Sequence, residues 1–572
     1  MTETTAPDRA RADLLKWRAG FAENAFDADP FFQALVLRLL GSSVSSRLRA
    51  VAARCGSELD RLVVESNQDQ NLPELRRHDR FGVAREEVVF HPSYHAAGRL
   101  FWASQVLSVL AEPGNERLSG AIAYLLDQHG EAGHACPVAC TAGAIKLLQR
   151  LGSADQRQRY LPGLLSDDYD RRLHAAQFVT EVQGGSDVGS NAVTVAPEPT
   201  RPGWYRLSGE KWFCSVADAG LFVVSARTPG GPEGTRGLGL FLVPRVIDGR
   251  PNGFQLRRLK DKLGTRSMAT GEIEFEGALG EAIGPLGEGF KNLVGIVLDT
   301  SRVHNAVAAC GLMRRALVEA WRFAQERRAF DHAICDYPAV QETLARITRR
   351  AVAGLASTFR ILALSDRIET GAQGQQELAA ARRIAVMINK YWTALASTQS
   401  VRDAIEVLGG NGTVEDFSVL PRLYRDAIVV ESWEGTHNTL CAQVLRDFTS
   451  RGLHRPWIGQ LRSEVESIGE GDADQLGGRA RSLLGDVEAS IHALLEADQV
   501  TAAANIRHVV DRMCRLTDWV SLAVQQRWEL ANGISGVTGD VLELYRLTVL
   551  EGLTPADAPQ LVQINRRVSA SL

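Results

Sequence analysis

The sequence is missing several things that would narrow its role. No apolar run approaches the ~20 residues that a membrane-spanning helix needs. The opening, "MTETTAPDRARADLLKW", is polar and mixed in charge, without the apolar centre of a secretory signal, so a cytoplasmic location is expected. The eight cysteines (Cys55, Cys136, Cys140, Cys214, Cys310, Cys335, Cys441 and Cys514) are scattered rather than arranged as a framework, and read as reduced thiols. Charge is nearly balanced, 64 basic against 68 acidic residues for a net −4, so the composition draws neither nucleic acid nor lipid wholesale. No internal repeat is present, which excludes a solenoid. A metal site is not expected either. The stretch "HGEAGHACPVAC" gathers His129, His134, Cys136 and Cys140, but its cysteine gap is not the usual two residues and no second half of a ligand set follows. A buried helical segment is the better reading.

What is present is a long chain of ordinary globular composition. Its 572 residues exceed one core, and its 45% apolar fraction argues against disorder. Four pieces can be read. Residues 1–171 carry apolar residues at three- and four-residue spacing, as in "SSRLRAVAARCGSELDRLVVESNQ", and predict helices, with Ser153 an N-cap. Over 172–285 the texture becomes short β-branched or aromatic runs between Gly, Pro and Asp turns: "HAAQFVTE", "NAVTVAP", "WYRLSGEKWFCS", "GLFVVSART", "GLGLFLVPR" and "TGEIEFEG". These predict a small β-domain. Residues 286–450 return to long helical periods and predict a bundle, broken by a glycine-rich terminus at "GGNG". Residues 451–572 form an additional helical segment, in which Leu484, Val487, Ile491 and Leu494 share a face.

The joints between these pieces hold the polar residues that invite a chemical reading. "FVTEVQGGSDVGSN" follows a strand and offers Thr180, paired glycines, Ser186 and Asp187, a turn suited to a phosphate or a polar cofactor edge. "GEKWFCSVAD" places aromatics inside a strand, where a ring could lie along a planar cofactor or simply join the core. "ERRAFDHAICDYPAVQ" puts Arg327 and Arg328 at a helix end, as a pyrophosphate fork or a solvated cap. "VVESWEGTHNTL" sets Glu434 at the rim of an apolar stretch. A charge there must be solvated, paired or used. Read alone it is a carboxylate near a helix start, favoured by the dipole by ~0.3–1 kcal/mol.

Taken in this order the four segments resemble the acyl-CoA dehydrogenase family over about residues 90–445. The long N-terminal region, "EEVVFHPSYH" and the extra C-terminal segment resemble its AidB-like, alkylation-response branch. The resemblance implies an α+β fold: an N-terminal helical domain, a small central β-domain and a helical bundle, followed here by the added segment. It implies FAD as cofactor and α,β-dehydrogenation of an acyl thioester on CoA or a carrier protein. Glu434 stands where the family keeps the base that removes the α-proton, while the β-hydrogen leaves as hydride to the flavin. The thioester oxygen is polarised by the backbone N–H of the base residue. Gly435 then gives backbone freedom beside the base, and Thr436 a hydroxyl toward the cofactor.

By the same resemblance Thr180 meets the flavin ring edge, Ser186 the pyrophosphate or thioester, Phe213 the ring face and Ser215 the region of N5. Arg327, Phe330, Gln341, Gly409 and Gly410 belong to a surface meeting FAD across a subunit boundary, which implies a homodimer or homotetramer, and Asn438 completes the cofactor set. Asp299, Arg302 and Trp433 join Ser186 and Gly435 on the substrate side. An electron-transferring flavoprotein is the implied acceptor.

Departures from the family pattern bear on substrate. Phe213 replaces a common tryptophan, Val182-Gln183 replaces Pro-Gly, and Trp433 is larger than the usual tyrosine, which favours short, branched or aromatic acyl groups. Two other readings remain open on the same fold. A flavin oxidase or N-hydroxylase would not need a carboxylate at 434. The AidB-like branch is also associated with DNA through a basic C-terminal domain. Here, however, residues 452–572 contain eleven arginines and no lysine against sixteen acidic residues, 11 − 16 = −5, which argues against nucleic acid.

Overall fold

A computed structural model of the chain describes residues 5–469 and 476–571; the first four residues of the polar N-terminus lie outside them. The chain divides into two compact units. One contains residues 61–115 and 131–304, the other residues 1–60, 116–130 and 305–572.

The first unit is built on a sheet. All six runs expected as strands form them: β3 (Ala175–Phe178), β4 (Thr194–Pro197), β5 (Trp204–Ser215), β6 (Leu221–Arg227), β7 (Leu238–Pro244) and β11 (Thr270–Ala282). Sequence reading passed over β8 (Val246–Ile247), β9 (Arg250–Pro251) and β10 (Phe254–Leu259). Strand order is β10-β11-β5-β4-β6-β3, and β7 pairs with both β6 and β11. Strands β11, β5, β4, β6 and β7 therefore close a ring, which leaves those five without free edges. Leu207, Phe222, Val224, Leu240, Leu242 and Ile273 are fully buried in this unit. The helix Ala154–Leu164 opens on the expected Ser153, in a capping box with Gln156.

One expectation for this stretch needs correcting. The region 1–171 is not wholly helical: β1 (Glu74–His78) and β2 (Ala84–Val89) form an antiparallel hairpin. Every residue of β1 is exposed except half-buried Leu75. "ELRRH" and "AREEVV" therefore carry no apolar alternation from which a strand could be read.

The second unit is helical. Long helices run over Asp299–Glu326 (its first residues in the sheet unit), Pro338–Glu369 and Gln375–Leu408, followed by Leu420–Ser432 and His437–Arg451. Their core gathers Leu312, Leu317, Phe323, Leu344, Ile347, Val401, Leu420 and Leu423. The additional C-terminal segment supplies His454–Ile468, Leu476–Glu496, Gln499–Ala531, Thr538–Tyr545 and Ala558–Ala570. Leu484, Val487, Ile491 and Leu494 are buried as their spacing predicts. Polar staples fix this segment to the 375–408 helix. Tyr391 donates its hydroxyl to Asp511 at 2.6 Å and Trp392 Nε1 donates to Asp518 at 2.8 Å; within the segment, Asp518 also accepts from the Tyr545 hydroxyl at 3.0 Å. Burial pushes the Asp518 carboxyl up to about 6, against these hydrogen bonds and Arg349. No helix among the described residues is long and apolar enough to cross a membrane.

Candidate active site

In the sheet unit the expected residues sit on one loop, one strand and the start of one helix. The loop leaves β3 at Val179, and its shape is set by Glu181, which is buried with 3% exposure. The Glu181 carboxylate accepts from the Lys211 ammonium at 2.7 Å, from the Val193 amide at 3.2 Å and from Gln183 Nε2 at 2.7 Å. Lys211 also donates to the Val179 carbonyl at 3.1 Å, so the ammonium ties the strand end to the loop. Burial lowers the Lys211 pKa while Glu181 opposes the shift. Sequence reading quoted both residues without giving them a role. A lysine at a buried register position of β5 was the available signal.

From that anchored base the loop turns outward. Ser186 is exposed, and Thr180 is half-buried with its carbonyl accepting from the Trp212 amide at 2.9 Å. Phe213 is 53% exposed near the end of β5. Lys260 lies 3.4 Å from the Trp212 ring centroid and 4.8 Å from that of Phe213. The Ser215 hydroxyl is 3.4 Å from that of Thr270. Asp299 and Arg302 occupy the first turn of the 299–326 helix, Arg302 with only 3% exposure.

In the helical unit the expected residues fall in three places. Glu434, Gly435 and Thr436 link the 420–432 helix to the 437–451 helix. Glu434 has φ +56 and Gly435 φ +108. A left-handed glutamate is uncommon and strained, whereas glycine accepts such a φ freely. Thr436 N-caps the following helix, its hydroxyl accepting from the Thr439 amide, and Asn438 lies exposed in the first turn. Trp433 is half-buried and packs on the unit's core. His437 stays neutral, its pKa pushed down to about 4 by burial first and then by the cations Lys390 and Arg507. At 3.6 Å from Glu431 it therefore makes no ion pair.

Arg327 follows the end of the 299–326 helix and leads into the hairpin β12 (Arg328–Ala329) and β13 (His332–Ala333). Its two turn residues, Phe330 and Asp331, have φ +49 and +66, a turn normally given to Asn and Gly. Phe330 is 90% exposed. Gln341 donates to the Cys335 carbonyl at 3.0 Å and so braces the return of this segment. Gly409 and Gly410 end the 375–408 helix as expected, both exposed. Gly409 needs its φ of +60; Gly410 has an ordinary φ, and nothing lies within 4 Å of where its Cβ would stand. The chain itself thus gives no reason for the missing side chain at 410.

Comparison with known proteins gives these features a common frame. Residues 287–448 match the acyl-CoA dehydrogenase C-terminal domain, 176–278 its middle domain, and 19–171 the N-terminal domain of the adaptive response protein AidB. AidB of Escherichia coli (strain K12) is 36% identical over 391 residues, 66% of this chain and 69% of that protein. Acyl-CoA dehydrogenase family member 11 of Caenorhabditis elegans is 32% identical over 447 residues, 75% and 71% of the two chains. The crystal structure of C. elegans ACDH-11 in complex with C11-CoA superposes with a TM-score of 0.84 at 27% identity, covering 92% of this chain and 90% of that one. An acyl-CoA dehydrogenase complexed with FAD from Bacillus anthracis, at 17% identity and TM-score 0.72 over 92% and 94% of the chains, shares the fold. The chain belongs to the acyl-CoA dehydrogenase family, as an FAD-dependent oxidoreductase of that fold. Within the family it falls in the AidB-like branch.

Residues of the sheet unit fit such a cofactor: a half-exposed aromatic ring at Phe213 and hydroxyls at Thr180 and Ser215. Among the described residues no cluster of His, Cys, Asp and Glu could hold a metal ion.

Proposed function

We propose that the protein dehydrogenates an acyl thioester between its α- and β-carbons, with Glu434 as the base. The observation that carries this is the conformation of Glu434. It is a carboxylate held left-handed between two helices, within the segment matching the family's C-terminal domain. Strain kept at a residue of ionisable chemistry is a reason to look for function there. FAD, when bound, supplies the hydride acceptor. Glu434 takes the weakly acidic α-proton, as a positioned general base. The Glu434 backbone N–H polarises the thioester oxygen as negative charge develops there.

In this reading Thr180, Ser186, Phe213 and Ser215 contact the flavin or thioester from the sheet unit, and Asp299 and Arg302 support the substrate. Thr436 and Asn438 serve the cofactor beside the base. Arg327, Phe330, Gln341, Gly409 and Gly410 meet the cofactor of a second subunit, so the protein works as a homodimer or homotetramer. Trp433 beside the base favours short, branched or aromatic acyl groups. CoA is the carrier best supported, since a relative, C. elegans ACDH-11, was crystallised with C11-CoA. A carrier protein would present the same thioester, and an electron-transferring flavoprotein is the proposed acceptor.

Anaerobic titration of the purified yellow protein with short, branched and aromatic acyl-CoAs tests the proposal. One class is expected to bleach the flavin's visible band in the parent but not in Glu434→Gln. No bleaching by any thioester with FAD bound would contradict it and favour the oxidase reading.

A further inference from the structure

The 420–432 helix ends with its last carbonyls pointing toward the loop that carries Glu434, and such carbonyls have no partner inside the helix. Three of them have donors, one from the cap residue and two from other helices. Val429 O accepts from the Trp433 amide at 3.0 Å, Val430 O from Asn305 Nδ2 at 3.0 Å, and Glu431 O from Lys390 Nζ at 2.8 Å. Lys390 then reaches past the helix end, and the same ammonium donates to the Gly435 carbonyl at 3.0 Å. Its two carbonyl partners bracket Glu434 in sequence. Lys390 is completely buried, in the middle of a 34-residue helix packed against this one. The next residue, Tyr391, is fixed by Asp511 and lies edge-on to His437 at 4.9 Å between ring centroids.

A fully buried ammonium is costly unless its hydrogen bonds are met, and a structural lysine would ordinarily be met by a carboxylate. This one also spans two backbone carbonyls, three residues before and one after a glutamate held at φ +56. Two N–H···O bonds across the loop restrict the rotations that would let Glu434 relax toward right-handed backbone. The positive charge also sits at the negative end of the helix dipole.

Building on the assignment of Glu434 as base, we propose that Lys390 is a positioning residue. It locks the 431–435 backbone so that the Glu434 carboxylate and N–H are held where α-proton removal needs them. The sequence shows nothing of this, because Lys390 is 44 positions away on another helix.

The test uses the FAD-loaded protein and Lys390→Met, which keeps the stem and removes the ammonium. Displacement of a reacting group by about 1 Å costs on the order of 10²-fold in rate. Flavin reduction by a turned-over acyl-CoA is therefore expected to slow about 10²-fold in kcat with KM little changed. Hydrogen exchange of the 433–436 amides, followed by mass spectrometry in parent, Lys390→Met and Glu434→Gln, is expected to speed up only in Lys390→Met. Parent-like rate and parent-like amide protection in Lys390→Met would overturn the proposal. If Lys390→Met does not fold, Lys390→Leu, which also removes the donor, is read the same way; failure of both to fold would make the residue structural and also overturn it. If Glu434→Gln keeps full activity, the base assignment fails, while the amide exchange still decides whether Lys390 holds the loop.

Discussion

The two sets of candidate residues are held in opposite ways. In the sheet unit a buried ion pair, Glu181 with Lys211, anchors the root of a loop whose tip, with Ser186, is exposed. In the helical unit the proposed base itself is strained at φ +56, and Lys390, proposed to steady it, donates to the backbone carbonyls of Glu431 and Gly435. The first arrangement suits residues that bind and must reach a partner. The second suits a residue that must not move. The same distinction separates two left-handed residues of the helical unit: Phe330 is 90% exposed at a hairpin tip, whereas Glu434 is partly buried.

Breaking the ion pair should have the largest effect. Lys211→Met leaves Glu181 buried and unpaired, and is expected to cost about 3–5 kcal/mol, read by urea unfolding. Glu181→Gln added to Lys211→Met should recover part of that loss, because a neutral amide is cheaper to bury than a lone carboxylate.

A smaller effect depends on pH and concerns the additional helices. The Asp518 carboxyl titrates near 6 in the folded chain and near 4 when unfolded. Between those values the folded state holds more protons. Its stability should therefore fall as pH rises through that window, by up to about 2–3 kcal/mol. Asp518→Asn should flatten this term, seen as a smaller difference in melting temperature between pH 5 and pH 7 than in the parent.

The smallest effects compare the strained residues. Replacing Phe330-Asp331 by Asn-Gly suits the turn and is expected to stabilise the folded chain by about 1 kcal/mol. It should weaken FAD retention, read by flavin release on dilution, if Phe330 serves a cofactor. Glu434→Gly should relieve similar strain, with a gain of up to about 1 kcal/mol by chemical denaturation. It should also abolish flavin reduction by acyl-CoA. A Glu434→Gly protein that kept its activity would contradict the assignment of Glu434 as the base.

Much of the fold was legible because the relevant signals are local. β6, "LFVVSAR", is buried along nearly its whole length and reads as an apolar run, and Ser153 announced its helix with Gln156 three residues on. The hairpin β1–β2 was hidden by its charges. Likewise the sequence motifs pointed to Glu434, Gly435 and Thr436, but not to the left-handed backbone of Glu434, since residue type alone predicts the opposite. Lys211, though inside a quoted motif, needed its burial to be seen as an anchor. Lys390 and Asn305 could not be found at all, because their targets are main-chain carbonyls, and a carbonyl has no residue type to recognise.

The most direct test of the central claim follows the proton rather than the flavin. An acyl-CoA that bleaches the parent's flavin is incubated anaerobically in excess with the FAD-loaded enzyme in D2O, and the recovered thioester is analysed by mass spectrometry. The account predicts deuterium at the α-carbon with the parent enzyme and at least about 10²-fold slower incorporation with Glu434→Gln, in line with the contribution of a positioned general base. Equal incorporation in the two proteins would mean that another group removes the α-proton, and would contradict the role given to Glu434.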